Sequence, residues 1–245
     1  MGEIIAVLSG KGGTGKTSLC AGIASALAQE GLRVLCIDCD VGLRNLDISL
    51  GLDNFAAVSF SDVICGNYAL DQLPHHPAFA NLWFLTAPMN VSVDQIDAAS
   101  FSAMVRQARD AYDFVFLDAP AGVDAGFRLA ATDADRILLV TGADPASIRD
   151  AGRTGEVLEL MGKGSIRMVV NRVNPKLVST MERTIDDVID EAGIQLIGIV
   201  PEDSNIILAA AFGKPLLLQS RKGAASKACR RIAQRLQGRP VRIEL

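Results

Sequence analysis

No apolar run in this sequence approaches the roughly 18 residues that a membrane-spanning helix requires. The N-terminus carries no cluster of positive charge, and the apolar stretch 4–8 is too short for the core of a secretory signal. Cysteine is sparse and odd in number: five residues at unrelated spacings argue against a disulfide framework and for a reducing compartment. Cys36-Ile37-Asp38-Cys39 matches C-x-x-C, but residues three apart on a strand face opposite sides, and no second pair completes four metal ligands. Cys36 is therefore expected in the core, and Cys20, Cys65 and Cys229 as packing residues. His75 and His76 fall between prolines in a polar connection and read as a solvated loop. No repeat, linker or low-complexity segment divides the chain. The expectation is one domain over residues 1–245, cytoplasmic or at most peripheral at the inner face of the cell membrane.

What is present points to a layered α/β protein. With 49% hydrophobic and 21% charged residues, the chain can bury a core on both faces of a sheet. Short, nearly continuous apolar runs at 4–8, 33–38, 82–85, 114–117, 137–140, 168–170 and 196–200 read as strands covered on both sides. Amphipathic stretches of helical length alternate with them, at 18–28, 93–111, 124–134, 145–161, 184–192 and 204–212. Strand and helix in alternation predict a mostly parallel twisted sheet with helices on both faces. In such sheets ligands sit beyond the carboxyl ends of the strands, so the residues that end each strand carry the chemistry.

The first strand ends in Gly10-Lys11-Gly12-Gly13-Thr14-Gly15-Lys16-Thr17-Ser18, and a helical pattern follows. A strand, a glycine loop and a helix opening with Gly-Lys-Thr form a phosphate-binding loop: backbone N–H groups turn inward around a polyphosphate, and the helix N-terminus adds partial positive charge. Lys16 is placed to reach the β- and γ-phosphates and Thr17 to ligate Mg²⁺. Gly10, Gly12 and Gly15 also satisfy the dinucleotide fingerprint, with Asp38 at a ribose-binding distance, but that fold needs no Lys16-Thr17. The second strand ends in Asp38-Cys39-Asp40 and a later one in Asp118-Ala119-Pro120. Asp118 reads as a Walker-B carboxylate and Asp38 as support for the metal shell. Asp40 is the candidate to orient the attacking water, because no Gln or Glu offers itself near the loop. A bare turn cap remains the alternative reading of such aspartates.

Charge is divided unevenly along the chain. From Arg221 onward, eight basic residues face a single acid, Glu244, and the rest of the chain is strongly acidic. Residues 226–245 thus predict a basic C-terminal helix and tail. It reads either as a docked helix with a solvated face or as a surface for anionic lipid. With no Trp or Phe among the last thirty residues, any insertion is expected to be shallow.

The run Lys11 to Thr17 resembles the deviant Walker A motif of the MinD/ParA family of dimeric ATPases. Further matches cover nearly the full length: Asp38 to Asp40 with the run 42–47, Asp118 to Gly122, Asn171-Arg172 and Val200-Pro201-Glu202-Asp203. The runs 42–47 and 201–203 are similar to those of members that regulate placement of the bacterial division site by recruiting a septum inhibitor. A ParA-type ATPase partitioning chromosome, plasmid or cargo is the alternative. The resemblance implies ATP and Mg²⁺ as cofactors and an ATP-held homodimer in which Lys11 reaches the partner's phosphates. It implies adenine contacts from Asn171 and the backbone around Pro201, Glu202 and Asp203. Implied partners are a MinC-like inhibitor and a MinE-like activator, with weak anionic membrane contact and no DNA. Two departures stand out. The partner-contact segment 147–153 has Gly152 where the family carries an acid, and the end of the chain, 238–245, lies about where an amphipathic membrane helix would begin. Cluster-bearing relatives that share the loop need cysteines arranged across a dimer or paired near the C-terminus; the segment following Asp118 has none, and Cys229 is alone.

Overall fold

A computed structural model describes residues 1–53, 55–89, 91–174 and 185–244. Its strands are β1 (Glu3–Leu8), β2 (Val34–Asp38), β3 (His75–His76), β4 (Phe79–Leu85), β5 (Phe114–Asp118), β6 (Arg136–Thr141), β7 (Ile166–Val173) and β8 (Leu196–Pro201). They form one sheet in the order β3-β4-β2-β5-β1-β6-β7-β8, parallel except where β3 meets β4. Helices α1 (Lys16–Gln29), α2 (Leu46–Leu50), α3 (Phe60–Ile64), α4 (Ala98–Ala111), α5 (Ala125–Thr132) and α6 (Pro145–Leu160) occupy the first two-thirds. The remainder holds α7 (Ile185–Ala192), α8 (Asn205–Ala211), α9 (Leu216–Gln219) and α10 (Ala224–Leu236). The expected α/β architecture is present. The expected helix start at Thr184 and the terminal Leu245 lie outside the described residues.

The pleat sorts the core into two layers. In β1, Ile4, Ala6 and Leu8 face one side, packing with Phe101 and Met104 of α4, Phe127 of α5 and Ile148 of α6. Ile5 and Val7 face the other, packing with Leu19, Ile23 and Leu27 of α1 and Cys229 and Ile232 of α10. β1 lies between β5 and β6 and is fully buried from Ile4 to Leu8, so the loop it feeds emerges at the middle of the sheet.

Local chemistry moved several boundaries. The helical pattern at 93–111 is interrupted at Asp97, whose carboxylate accepts the Ser100 N–H at 2.9 Å and starts α4 afresh. β4 begins three residues before its apolar run, because the chain first turns back into β3. That hairpin corrects the reading of the histidines. His76 is buried, its Nε2 within 2.8 Å of the Leu50 carbonyl while its Nδ1 accepts the Ala78 N–H, a pairing that fixes the neutral ring. Burial holds its pKa below the usual imidazole value, against the pull of the Leu50 carbonyl. Cys65 also departs from expectation. It caps the five-residue α3, which buries only Phe60, and it is exposed. Cys36 and Cys39 lie in opposite core layers, as strand alternation requires.

Candidate functional site

The strand ends gather the predicted residues along one rim. Gly13 and Gly15 take φ of 77° and 85°, which a side chain would oppose, and a Cβ on Gly15 would sit 2.3 Å from Asn171 Nδ2. Gly10 is equally confined: a Cβ there would sit 2.5 Å from Thr154 Oγ1. The loop thus presents its backbone at close range. Among the described residues no hydrogen bond uses the amides of Lys11 through Ser18. A run of unspent N–H donors at the opening of α1 is a seat for an anion.

Beneath it lies Lys16, only 7% exposed, its Nζ 3.0 Å from Asp118 Oδ1 and 3.3 Å from Thr17 Oγ1. Asp118 ends β5 beside Asp38, which ends the neighbouring strand β2 in register with it. Burial raises the pKa of Asp118, although Lys16 pulls the other way. Burial and the Asp118 charge push Asp38 up to about 6, against the N–H groups of Asp40 and Leu46. Asp40 is raised by burial and moderated by Lys16. One lysine among three crowded carboxylates leaves the pocket short of positive charge.

Two carboxylates and a hydroxyl are too few to cage a cation. No group of three or more His, Cys, Asp or Glu among the described residues does so either. Such a set suits Mg²⁺, which keeps waters and takes further ligands from phosphates. Unsatisfied atoms stand beside the cradle: Thr14 Oγ1 and Asn171 Oδ1 are buried without a partner. The residues present therefore fit a magnesium-bound nucleoside polyphosphate.

Asn171 reaches the loop because β7 shifts register between Val170 and Val173, with Arg172 at φ 56°. Its Nδ2 donates to the Thr14 carbonyl at 2.7 Å. The apolar run 168–170 stops where the irregularity starts, and this was the only sequence signal of it. Asp203 lies differently from a nucleotide ligand. Its carboxylate accepts the N–H groups of Asn205 and Ala225 and the Asn205 side-chain amide, so its side chain is spent within the protein. Burial raises its pKa, but those donors prevail and hold it below the carboxylate range.

Two further links escaped the sequence reading. Asp38 accepts the N–H groups of Asp40, Asn45 and Leu46 at 2.9–3.1 Å, which ties the polar loop 40–46 to the paired carboxylates of the pocket. Lys11 Nζ stands 3.9 Å from Asp144 Oδ1, the N-cap of α6, while 43% of its side chain remains exposed.

A cradle of free amides over a buried lysine, with aspartates on adjacent strand ends of a parallel sheet, defines a P-loop nucleotide-binding protein. The CobQ/CobB/MinD/ParA nucleotide-binding domain model matches residues 5–216, and the chain belongs to that family. It is 37% identical over 243 residues to the septum site-determining protein MinD of Synechocystis sp., covering 98% of this chain and 91% of that one. Among solved structures it matches the MinC:MinD cell division complex of Aquifex aeolicus at a TM-score of 0.90 and 35% identity, over 99% of this chain and 98% of that one. It also matches Pyrococcus horikoshii MinD complexed with Mg-ADP at 0.84 and 27%, over 96% of each.

Proposed function

We propose that this chain is a MinD-like switch, a Mg-dependent ATPase whose ATP-bound dimer recruits a MinC-like inhibitor and so helps place the bacterial division site. The observation that carries the reading is Lys11, displayed at the lip of a donor-rich cradle and paired there with Asp144 by a long, exposed contact. A cation so placed is free to exchange its own aspartate for a neighbour's phosphate. Delivered in trans, such a charge stabilises the transition state, and an analogous arginine is worth about 10³–10⁵ in rate.

The other residues take roles that follow from their surroundings. Gly10 to Ser18 cradle the phosphates through backbone N–H groups, and Lys16 leaves Asp118 to reach them. Thr17, Asp38 and Asp118 hold Mg²⁺, which when bound neutralises developing charge on the phosphates. Asp40 orients the attacking water. Asn171 and the backbone of Pro201, Glu202 and Asp203 contact the base. Because Asp38 also anchors loop 40–46, that loop would follow the carboxylate when Asp38 holds Mg²⁺, which would carry nucleotide state to the surface.

Support for the inhibitor partner comes from full-length likeness to the Synechocystis protein and to MinD in the MinC:MinD complex. A Cβ at Gly152 would make only ordinary contact, 3.4 Å from the Ala192 carbonyl at the end of α7, but a carboxylate there would face the carbonyl end of that helix. Arg149 and Arg153, on the same segment, line a cleft of about 570 Å³ between α6 and α7 that is open to a partner. The ParA-type alternative is less favoured, because the full-length likeness is to MinD proteins and Arg231, Arg235 and Arg239 of the basic segment it would set on DNA are paired internally.

The deciding test compares wild type with Lys11→Ala by light scattering and phosphate release. ATP should dimerise only the wild type, and partner-stimulated turnover should fall by about 10³ or more in the variant. Full turnover from a strictly monomeric Lys11→Ala protein would falsify the reading.

A further inference from the structure

Lys11 lies between Gly10 and Gly12, with Gly13 beyond, so its neighbours do little to hold its backbone in one direction. Its contact with Asp144 spans 3.9 Å between two exposed side chains and is worth little by itself. A residue that presents a charge outward needs its main chain aimed by something firmer. Among the described residues, one side chain bonds that main chain: Ser9, whose hydroxyl donates to the Lys11 carbonyl at 3.1 Å. Ser9 is 1% exposed, so its hydroxyl has no water to turn to when the bond opens.

Ser9 is also tied in the other direction. Its carbonyl accepts the Gly122 N–H at 3.1 Å, and Gly122 takes a φ of 93° in the segment that follows Asp118. The preceding Ala121 lies against the loop beyond Lys11, where a Cβ on Gly12 would meet the Ala121 Cβ at 3.9 Å. Residues 121–122 thus touch the chain on both sides of Lys11. That segment starts from Asp118, which receives the Lys16 ammonium at 3.0 Å. Helix α6 closes the remaining side: the Asp150 carbonyl and the Thr154 hydroxyl that bonds it press on Gly10, 3.1 Å and 2.5 Å from where a Cβ would sit. With α6 behind Gly10, a shift of residues 119–122 is taken up at Ser9 and Lys11. The backbone link to Gly122 would exist with any residue at position 9. The hydroxyl is what extends it to Lys11.

We propose that Ser9 is a positioning residue that aims Lys11, and that through it the segment after Asp118 sets when the lysine faces a partner's phosphates. The inference rests on the reading of Lys11 as the cation delivered in trans, and adds how that cation is directed. Ser9 touches no phosphate itself; it acts on the main chain of the residue that does. One end of the link senses the pocket through Asp118, and the other carries the charge that completes a neighbour's site.

Three full-length variants test this beside wild type: Ser9→Ala, Lys11→Ala and the double variant. Ser9→Ala removes one oxygen and leaves every backbone link in place. It should bind ADP as wild type does, because a nucleotide in its own cradle does not depend on where Lys11 points. It should need about five-fold more protein to dimerise with ATP, the size of one hydrogen bond, and phosphate release per dimer should fall to a similar extent. On the Lys11→Ala background the same change should leave residual phosphate release where it was, since no lysine remains to be aimed. Wild-type dimerisation and turnover in Ser9→Ala would overturn the proposal. So would ADP affinity that falls in step with dimerisation, which would make the hydroxyl part of the cradle. An equal loss of turnover with and without Lys11 would overturn it too, by making the hydroxyl a cap on its own turn. A wild type that stays monomeric in ATP fails at an earlier step, the delivery of Lys11 itself, and takes this inference with it.

Discussion

Charge is handled in opposite ways at the two ends of this chain. At the phosphate loop, Lys16, Asp38 and Asp118 are buried, with one cation set against three carboxylates and with Thr14 and Asn171 oxygens left unpartnered. Around the end of α10, the arginines are partly exposed, yet Glu30, Glu244 and backbone carbonyls take them up. A density of charge read from sequence therefore says little about where a ligand belongs. What marks a binding site is unmet demand: donors without acceptors and carboxylates without enough cations, held where water is scarce.

The contrast can be broken from the buried side first. Lys16→Ala removes the partner of a carboxylate that is 1% exposed, and should cost about 3 kcal/mol of nucleotide-free stability in urea unfolding. Burial raises the Asp118 pKa, so the loss should shrink as pH falls and Asp118 takes a proton, and a loss that does not change with acidification would show that the pair is not responsible. Asp40→Ala should leave ATP-driven dimers intact while slowing hydrolysis by about 10², as expected for a residue that orients water. Dimers lost along with turnover would place Asp40 in assembly instead.

Asp38 tests the electrostatic deficit directly. Its folded pKa of about 6 exceeds its ordinary value of 3.8, so between those pH values the folded chain keeps a proton that the unfolded chain has released. Stability falls as pH rises through that window, and the penalty is complete at pH 7. Asp38→Asn should then stabilise the nucleotide-free protein by about 2 kcal/mol at pH 7, and by much less near pH 4. At the other end of the scale, Arg239→Ala breaks a pair 53% and 24% exposed, and should change stability by less than about 1 kcal/mol. A larger loss would mean that the tail is held far more firmly than an exposed ion pair allows.

The fold was legible because a parallel sheet buried on both faces writes itself as short continuous apolar runs, and seven of the strands were visible that way. Less legible were elements made by a few residues in context. β3 exists because a turn brings His76 against the Leu50 carbonyl, and α2 because Asp38 receives the N–H of Leu46. Within the site, the loop and the aspartates at strand ends could be read from residue type and spacing. The links among them could not: Asp38 to Asn45, Lys11 to Asp144, and Gly10 against Thr154 join positions whose nearness depends on strand order.

By itself the sequence determined the layered α/β class, the phosphate loop and the family, because hydrophobic period and a motif of fixed spacing are local properties. The tertiary structure alone decided which charges remain available. It spent Arg231, Arg235 and Arg239 on the protein's own acids and carbonyls, turned Asp203 into a shared helix cap, and left the cations beside α8 in solvent. Pairing is a matter of distance, and only the folded chain sets distances between residues far apart in sequence.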